Sequence, residues 1–299
     1  MVQKVIDSIS VVFTEDGFTT SNCLLVEDSG HRLMVDSGAG SILASVSPET
    51  VDTLLISHHH LDHISRNDDF TAARIYAHPI ENRAMNTPEK LTATDGWEEL
   101  MDGEASDHAN ELGQIAHVMP RVFEPWRVDE DLSDGQVIRC GSHEIVVLHT
   151  PGHTAGHCSF YFPDIEFAFL GDVCLTKVGP WYGDDDSGVD DFIATMNRLI
   201  ELKLRKVATG HVPYVVEGDL RNTFIEYRDR IMKRENRILS ALREGPASIH
   251  DIAARRLIYR EHPTSFVLFW EKSMVKKHLE RLVAQGAAKK DESGLFHAV

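Results

Sequence analysis

The sequence predicts an α/β fold followed by a smaller, mostly helical region. Short apolar runs alternate with helical segments through residues 1–222, and several of these runs end on a histidine or an aspartate. From residue 223 onward, apolar residues recur at helical spacing instead. A chain of 299 residues, 42% of them hydrophobic, can bury a large core and can hold two domains.

The first informative element is the apolar run at residues 51–56, which is typical of a buried strand. Residues 57–63 follow it directly and contain four histidines and an aspartate. Residues i and i+2 of an extended chain project to the same side, so His58 and His60 can bind one ion. Asp62 and His63 can then bind a second ion nearby. Taken alone, the cluster would also fit a purification-tag remnant or a solvated polar loop.

Three later segments repeat the arrangement of an apolar strand, a small residue and a metal-type ligand. They are residues 146–154, 167–172 and 206–211, which carry His153, Asp172 and His211. The glycine in each segment lets the backbone approach closely. Each segment has an ordinary alternative as a turn, but their joint occurrence behind the first cluster indicates one composite site.

With these motifs in this order, the chain resembles the metallo-β-lactamase superfamily over roughly residues 5–215. The resemblance implies an αββα sandwich with seven metal ligands: His58, His60 and His153 for one ion, Asp62, His63 and His211 for the other, and Asp172 bridging both. Asp36 matches an early aspartate that would orient a ligand histidine. A simple turn aspartate is the alternative for Asp36. Ser57, and the pair Ser65 and Arg66, depart from the family's usual residues and alter the expected pocket wall.

The ligand types narrow the metal and the reaction. Imidazole and carboxylate ligands suit two divalent ions, with Zn²⁺ favoured and Fe or Mn as alternatives. Two such ions can share a hydroxide, because they lower the pKa of bound water towards neutrality. The expected reaction is therefore hydrolysis, in which Asp172 bridges the ions and Asp62 steers the proton.

Composition favours a cytoplasmic enzyme. Residues 1–7 show no apolar signal segment, and no apolar stretch is long enough to span a membrane. The cysteines are scattered without paired spacing, which is typical of reduced core thiols: Cys23, Cys140, Cys158 and Cys174.

Charge divides the chain at the same point as the periodicity. Residues 1–222 carry a net charge of −22, whereas residues 223–299 carry +5. We predict a catalytic domain at 1–222 and a winged-helix-like domain at 223–299, with helices at 224–244, from Ser248 onward and at 271–285, then a short hairpin. A similar module occurs in the group that resembles the lactamase-beta-like endoribonucleases.

Two roles are open for this rear domain. A basic set lies on its third helix and hairpin, where it could dock nucleic acid: Lys276, Lys277, Arg281, Lys289 and Lys290. The strongly acidic catalytic domain would repel nucleic acid, which favours a lid or a homodimer contact instead. A helical insertion at about 82–128 is expected to cap the pocket, and residues 178–183 are expected to line the same cleft.

The sequence therefore predicts a metal-dependent hydrolase of a small ester, thioester or lactone. An endoribonuclease or nucleic-acid phosphodiesterase that docks through the rear domain is the first alternative. A mononuclear iron persulfide dioxygenase is the second, since the same ligand types bind iron.

Overall fold

The centre of the fold is a pair of β-sheets in the computed structural model, which describes residues 1–14, 20–91, 96–101 and 124–299. Strands of the first sheet lie side by side in chain order: β1 (Val2–Ile6), β2 (Ile9–Val12), β3 (Cys23–Asp28), β4 (His31–Val35), β5 (Thr53–Leu55), β6 (Arg74–Ala77) and β7 (Glu130–Asp131). Strands β1 to β4 pair antiparallel, and β4 to β7 pair parallel. The predicted strand at 51–56 is β5, which is shorter than predicted.

The second sheet has its strands in the reverse of chain order: β13 (Val216–Glu217), β12 (Lys206–Ala208), β11 (Phe167–Phe169), β10 (Cys158–Phe162), β9 (His143–His149) and β8 (Val137–Cys140). Only the β11–β12 pair is parallel among these described strands. The predicted strands before His153, Asp172 and His211 are β9, β11 and β12.

The helices fall on the outer faces and at the end of the chain: α1 (Leu61–Ile64), α2 (Pro79–Met85), α3 (Pro88–Leu91), α4 (Trp97–Leu100), α5 (Val189–Glu201), α6 (Leu220–Glu244), α7 (Ile249–Ala253) and α8 (Ser265–Ala284). Among the described residues, no helix combines the length and apolarity that crossing a membrane requires.

The main core lies between the two sheets. Alternate residues of β2 and β3, such as Val11 and Leu24, face Val147, Phe160 and Phe169 from the second sheet, and all are fully buried. Burying one such side chain contributes about 1.5–3 kcal/mol relative to leaving it exposed. This apolar layer fixes the sheets against each other and so fixes the relative positions of their strand ends.

Helices cover both outer faces, which completes an αββα sandwich. Phe192, Met196 and Leu199 recur on one face of α5 and pack on the second sheet together with Phe224 and Ile231 of α6. Another apolar cluster joins α1 and α2 to the first sheet. The predicted fold class is confirmed.

Residues 220–299, which we call the C-terminal region, form a second core around Ile238, Leu242, Val275 and Leu279. Ser248 caps α7 in a reciprocal capping box with Asp251, as predicted. The predicted hairpin is also present: β14 (Ala288–Lys290) and β15 (Phe296–Ala298). Since α6 contributes to the sandwich as well as to this core, the boundary at residue 222 stays a prediction.

Helix α8 begins earlier than the predicted 271, because Thr264 caps it by accepting a hydrogen bond from the Val267 amide. Its first turns pack on α4, where the Trp97 and Phe269 rings lie 4.9 Å apart. This contact ties part of the predicted insertion to the C-terminal region. Residues 92–95 and 102–123 of the insertion lie outside the described residues, so its role as a cap stays a prediction.

Candidate metal centre

Three histidines meet with their ring nitrogens almost in contact. His58 Nε2 lies 3.1 Å from His60 Nδ1 and 3.1 Å from His153 Nε2, and His153 Nε2 lies 3.0 Å from His60 Nδ1. Asp172 Oδ2 is 3.4 Å from His153 Nε2. Ligands arranged tetrahedrally at about 2.0–2.1 Å from a zinc ion would be separated by roughly 3.3 Å. The spacing of these four groups therefore suits one metal ion.

The outer nitrogens of two of these rings have defined partners. His60 Nε2 lies 2.8 Å from the Asp184 Oδ2 atom, and His153 Nδ1 donates to the carbonyl oxygen of Trp181 at 3.2 Å. A carboxylate and a carbonyl can only accept, so both outer nitrogens carry the proton. In neutral rings the inner nitrogens consequently present lone pairs to each other, an arrangement that a bound cation would stabilise.

A second cluster adjoins the first. Asp62 Oδ2 lies 3.2 Å from His211 Nε2 and 3.6 Å from His63 Nε2. Asp172 joins the two clusters, because its Oδ1 is 3.1 Å from His63 Nε2 and its Oδ2 is 3.3 Å from His211 Nε2. All the residues that the sequence analysis assigned to the site are thus brought together around Asp172.

Asp36 orients this cluster from behind. Its Oδ2 accepts hydrogen bonds from His63 Nδ1 at 2.8 Å and from Ser57 Oγ at 2.7 Å, and its Oδ1 accepts from the Ser57 amide at 2.7 Å. Because Ser57 Oγ donates to Asp36, it accepts from His58 Nδ1 at 2.9 Å. The backbone of Asp36 has a φ of 59°, which is unusual for an aspartate. Of the two alternatives for Asp36, this geometry favours the orienting role.

Two buried atoms show that the protein groups alone leave the site incomplete. Within the described part of the chain, His63 Nε2 and Asp172 Oδ1 both lack a hydrogen-bond partner, although they lie 3.1 Å apart. With Nδ1 donating to Asp36, a neutral His63 imidazole would direct a lone pair at the carboxylate of Asp172, an arrangement that calls for a proton or a metal ion between them. Buried polar atoms are rarely left unsatisfied, so these residues fit a bound cation.

The pKa values of two histidines in this cluster, His58 and His153, support neutral rings. Burial lowers the pKa of His58 well below its usual range, and the neighbouring His63 and His153 lower it further. Burial also lowers the pKa of His153 to about 3, with the partly opposing charge of Asp172. Neutral imidazole is the form that binds metal.

The second cluster attracts positive charge. Burial alone would lower the pKa of His211, but Asp172 and Asp62 outweigh it and raise that pKa to about 10. Burial likewise opposes the charge on His63, and the surrounding carboxylates hold its pKa well above the usual value. The electrostatic field here favours a cation between the carboxylates, and protons compete with metal for the same place.

Glycines beside the ligands allow the close packing that the sequence predicted. A Cβ atom added to Gly210 would lie 2.5 Å from Asp172 Oδ1 and 2.8 Å from His63 Cε1. Gly171 has a φ of 50°, and a Cβ atom there would lie 2.6 Å from His157 Nε2. His157 in turn accepts a hydrogen bond from the Asp172 amide at 3.0 Å, so it positions the residue that joins the clusters.

Glu81 connects the two loops that carry the three-histidine cluster, and the sequence analysis did not identify it. This carboxylate is fully buried and accepts from the His59 amide (2.8 Å), His59 Nδ1 (2.5 Å), Thr154 Oγ1 (2.7 Å) and the Gly156 amide (2.8 Å). Burial would raise the pKa of Glu81, but His59 and these bonds lower it to about 2. Burial would lower the pKa of His59, but Glu81 raises it to about 9. His59 thus directs its Nδ1 at Glu81 rather than at the three-histidine cluster.

The segment at 178–183 divides its aromatic residues between the site and the core. The Trp181 ring lies 5.4 Å from His60 and 5.2 Å from His153, so it forms a wall beside the first cluster. Tyr182 is fully buried and packs against Phe192 instead. Trp181 and Asp184 are site residues whose roles depend on contacts distant in sequence, and only Trp181 lay in a segment that the sequence pointed to.

We expect Asp36→Asn to weaken metal binding about tenfold to a hundredfold. Asparagine tolerates a positive φ, so the backbone can stay unchanged. Its amide group would donate towards His63 Nδ1 and move the ring proton to Nε2, where it faces Asp172. Titration of metal-free protein with Zn²⁺ against a competing chelator measures the effect, and Asp7→Asn, on the exposed surface, is the matched control. Equal affinities for both variants would contradict the orienting role of Asp36.

Comparison with known families and structures agrees with this geometry. The family model described as "Metallo-beta-lactamase superfamily" matches residues 16–211, well over half of the chain. A metallo-beta-lactamase family protein from Thermus thermophilus has a similar fold, with a TM-score of 0.80 and 23% identity over 99% of this chain and 100% of that one. A beta-lactamase domain protein from Burkholderia ambifaria is also similar, with a TM-score of 0.73 and 17% identity over 100% and 93% of the two chains.

Curated relatives match part of the chain. An atrochrysone carboxyl ACP thioesterase from Aspergillus chevalieri is 34% identical over 45% of this chain and 42% of its own length. A hydroxyacylglutathione hydrolase from Cereibacter sphaeroides is 30% identical over 50% of this chain and 46% of its own length. The chain therefore spans less than half the length of these two relatives. With the family model and the fold in agreement, the chain belongs to the metallo-beta-lactamase superfamily.

Proposed function

We propose that this protein holds two divalent metal ions, with Zn²⁺ favoured, and hydrolyses a small thioester, with esters and lactones as related substrates. The observation that carries the proposal is the meeting of two ligand clusters on one carboxylate, Asp172. His58, His60 and His153 would hold one ion, and Asp62, His63 and His211 the other. A donor set of imidazoles and carboxylates suits zinc, which the superfamily typically uses.

When bound, such a pair of ions supplies Lewis acidity and a strong oxygen nucleophile at neutral pH. Hydrolysis adds water across the acyl–sulfur bond: a C–O bond forms, the C–S bond breaks and the departing thiolate takes up a proton. Asp62 is suited to moving that proton, because its side chain is 20% exposed and faces His211 at 3.2 Å. Asp172, at 10% exposed, stays behind it as the fixed negative charge between the clusters.

A thioester is favoured by two observations. One relative is named a thioesterase and another a hydroxyacylglutathione hydrolase. In hydroxyacylglutathione the acyl group is attached to sulfur. The half-buried Trp181 ring beside His60 and His153 offers an apolar surface to an acyl chain.

The nuclease alternative is weakened by the contacts of the basic residues on α8. These side chains are engaged with oxygen atoms elsewhere in the chain: Lys276 with Glu99 (3.1 Å), Lys277 with the Asp185 carbonyl and Arg281 with Asp190 (2.8 Å). Charge that is neutralised within the protein contributes little to phosphate binding. The winged-helix interpretation of 223–299 is supported by its element order, in which Ala247 bridges to Phe296 between α6 and the hairpin.

The test is a panel of thioester, ester, lactone, phosphodiester and persulfide substrates, assayed on protein loaded with Zn²⁺ or with iron. We expect the highest kcat/KM on a small acyl thioester. Activity should be lost on treatment with a chelator and return when Zn²⁺ is added. Removing the ions withdraws both the nucleophile and the Lewis acid, so the expected loss is at least about a thousandfold.

Two outcomes would contradict this proposal. Hydrolysis that survives complete metal removal would exclude the metal-dependent mechanism. Persulfide oxidation by protein with one iron per chain, without thioester hydrolysis, would favour the dioxygenase alternative.

A further inference from the structure

One loop, residues 178–188, separates the first metal-ligand cluster from the C-terminal region, and we call it the site loop. On its inner side it makes three hydrogen bonds to ligand histidines. The Trp181 carbonyl accepts from His153 Nδ1 at 3.2 Å, Ser187 Oγ donates to the His153 carbonyl at 2.5 Å, and Asp184 pairs with His60 Nε2 at 2.8 Å. The position of this loop therefore decides how two of the three rings are turned.

On its outer side the site loop is held by Arg234 of α6. Arg234 Nη2 donates to the Val178 carbonyl at 2.9 Å, and Nη1 donates to the Pro180 carbonyl and to Tyr182 Oη at 3.1 Å. These contacts lie on either side of Trp181, whose carbonyl accepts a hydrogen bond from His153 Nδ1. Arg234 is 4% exposed, so its charge is satisfied largely by the loop rather than by water.

Helix α8 contributes a second set of contacts. His278 Nε2 lies 2.8 Å from Tyr182 Oη, and both side chains are fully buried. Lys277 donates to the carbonyl of Asp185, the residue after the partner of His60. The C-terminal region thus fastens the loop on both sides of its contacts with the histidines.

We propose that the C-terminal region is an integral part of the metal centre, with Arg234 as a positioning residue that acts on His153 through the Trp181 carbonyl. This inference rests on the proposed metal-dependent function. Arginine suits the position because its planar fork can bind several acceptors at once, whereas lysine offers a single charged point.

The experiment measures the affinity of each cluster separately. In a His211→Ala background the three-histidine cluster is the intact one, and in a His58→Ala background the second cluster is intact. We expect Arg234→Met to weaken Zn²⁺ binding about tenfold to a hundredfold in the first background. In the second background, affinity should stay within about twofold, because the loop's hydrogen bonds to ligand histidines, among the described residues, go to His60 and His153 of the first cluster. Zn²⁺ competition with a chromogenic chelator gives both constants.

Arg243→Met removes an exposed arginine from the same helix and should change neither affinity. If Arg234→Met does not fold, Tyr182→Phe tests the same link, since it removes only the hydroxyl shared by Arg234 and His278, and we expect a threefold to tenfold loss. A lowered melting temperature with unchanged affinity in the His211→Ala background would overturn the inference. If the His211→Ala and His58→Ala parents bind no Zn²⁺ at all, the proposed function fails instead.

Discussion

Replacing Asp172 by alanine is expected to lower kcat/KM about a thousandfold or more, which corresponds to roughly 4 kcal/mol of transition-state stabilisation. The reason is that Asp172 contacts both clusters, through Oδ1 to His63 and through Oδ2 to His153 and His211. Without the charge of Asp172, Asp62 would be the one remaining carboxylate of the proposed ligand set to balance two cations. Steady-state kinetics on the best thioester of the panel, with metal analysis of the same samples, measures the effect.

Asp172→Asn keeps the shape of the side chain and removes only its charge, so it separates electrostatic loss from loss of packing. Asp7→Ala, at an exposed position in the same domain, serves as the control and should behave as the unaltered protein. Activity within tenfold of the unaltered protein, with metal content unchanged, would show that Asp172 does not join the two clusters functionally.

The largest effect on stability is expected at Glu81. Glu81→Leu should lower the free energy of unfolding of the metal-free protein by about 3–5 kcal/mol, because removing one partner of a buried ion pair leaves the other charge unpaired. His59 would lose its hydrogen-bonded carboxylate in a fully buried place and keep the more distant Asp184, 3.7 Å from its Nε2. The Thr154 hydroxyl and Gly156 amide would lose their acceptor. Urea unfolding followed by circular dichroism provides the measurement.

Glu49→Leu removes an exposed glutamate and should cost little. Adding His59→Leu to Glu81→Leu should recover part of the loss, since the unpaired charge is then absent, and the double-mutant cycle gives the coupling between the two residues. A loss below about 1 kcal/mol for Glu81→Leu would mean that the surrounding structure relaxes enough to let water reach His59.

The clustering of the candidate ligand residues was predictable because most of them follow a strand within a few positions. His58, His153, Asp172 and His211 come after β5, β9, β11 and β12, and strand ends of packed sheets meet at one edge. The local sequence is therefore enough to identify them as candidates. The sandwich fold is predictable for the same reason, since its strands have apolar runs that are visible without tertiary information.

Apart from Asp36, the supporting residues were not predictable, because their roles come from contacts between distant parts of the chain. Asp184 is 124 residues from its partner His60, and Glu81 is 22 residues from His59. An aspartate in a polar loop and a glutamate in a short helix look like surface residues in a sequence. Arg234 similarly has the appearance of a solvated position on an amphipathic helix, although the fold buries it.

Helix boundaries show the same limit. The start of α8 was predicted at 271, but the helix begins at Ser265. The prediction was too late because the apolar stretch from Phe266 to Trp270 has no polar face that would reveal helical spacing. Contact with α4 buries part of that stretch. Helix α6 likewise begins at Leu220, where Asp219 accepts a hydrogen bond from the Asn222 amide as an N-terminal cap.

The most direct test of the central claim is metal analysis of the purified protein together with anomalous X-ray diffraction at the zinc edge. We predict two divalent ions per chain, about 3.5–4 Å apart, on either side of the Asp172 carboxylate. The metal content and the anomalous peaks of both ions should decrease in Asp172→Ala. A protein that binds no ion at these histidines, or one that binds a single iron whose occupancy Asp172→Ala leaves unchanged, would contradict the account.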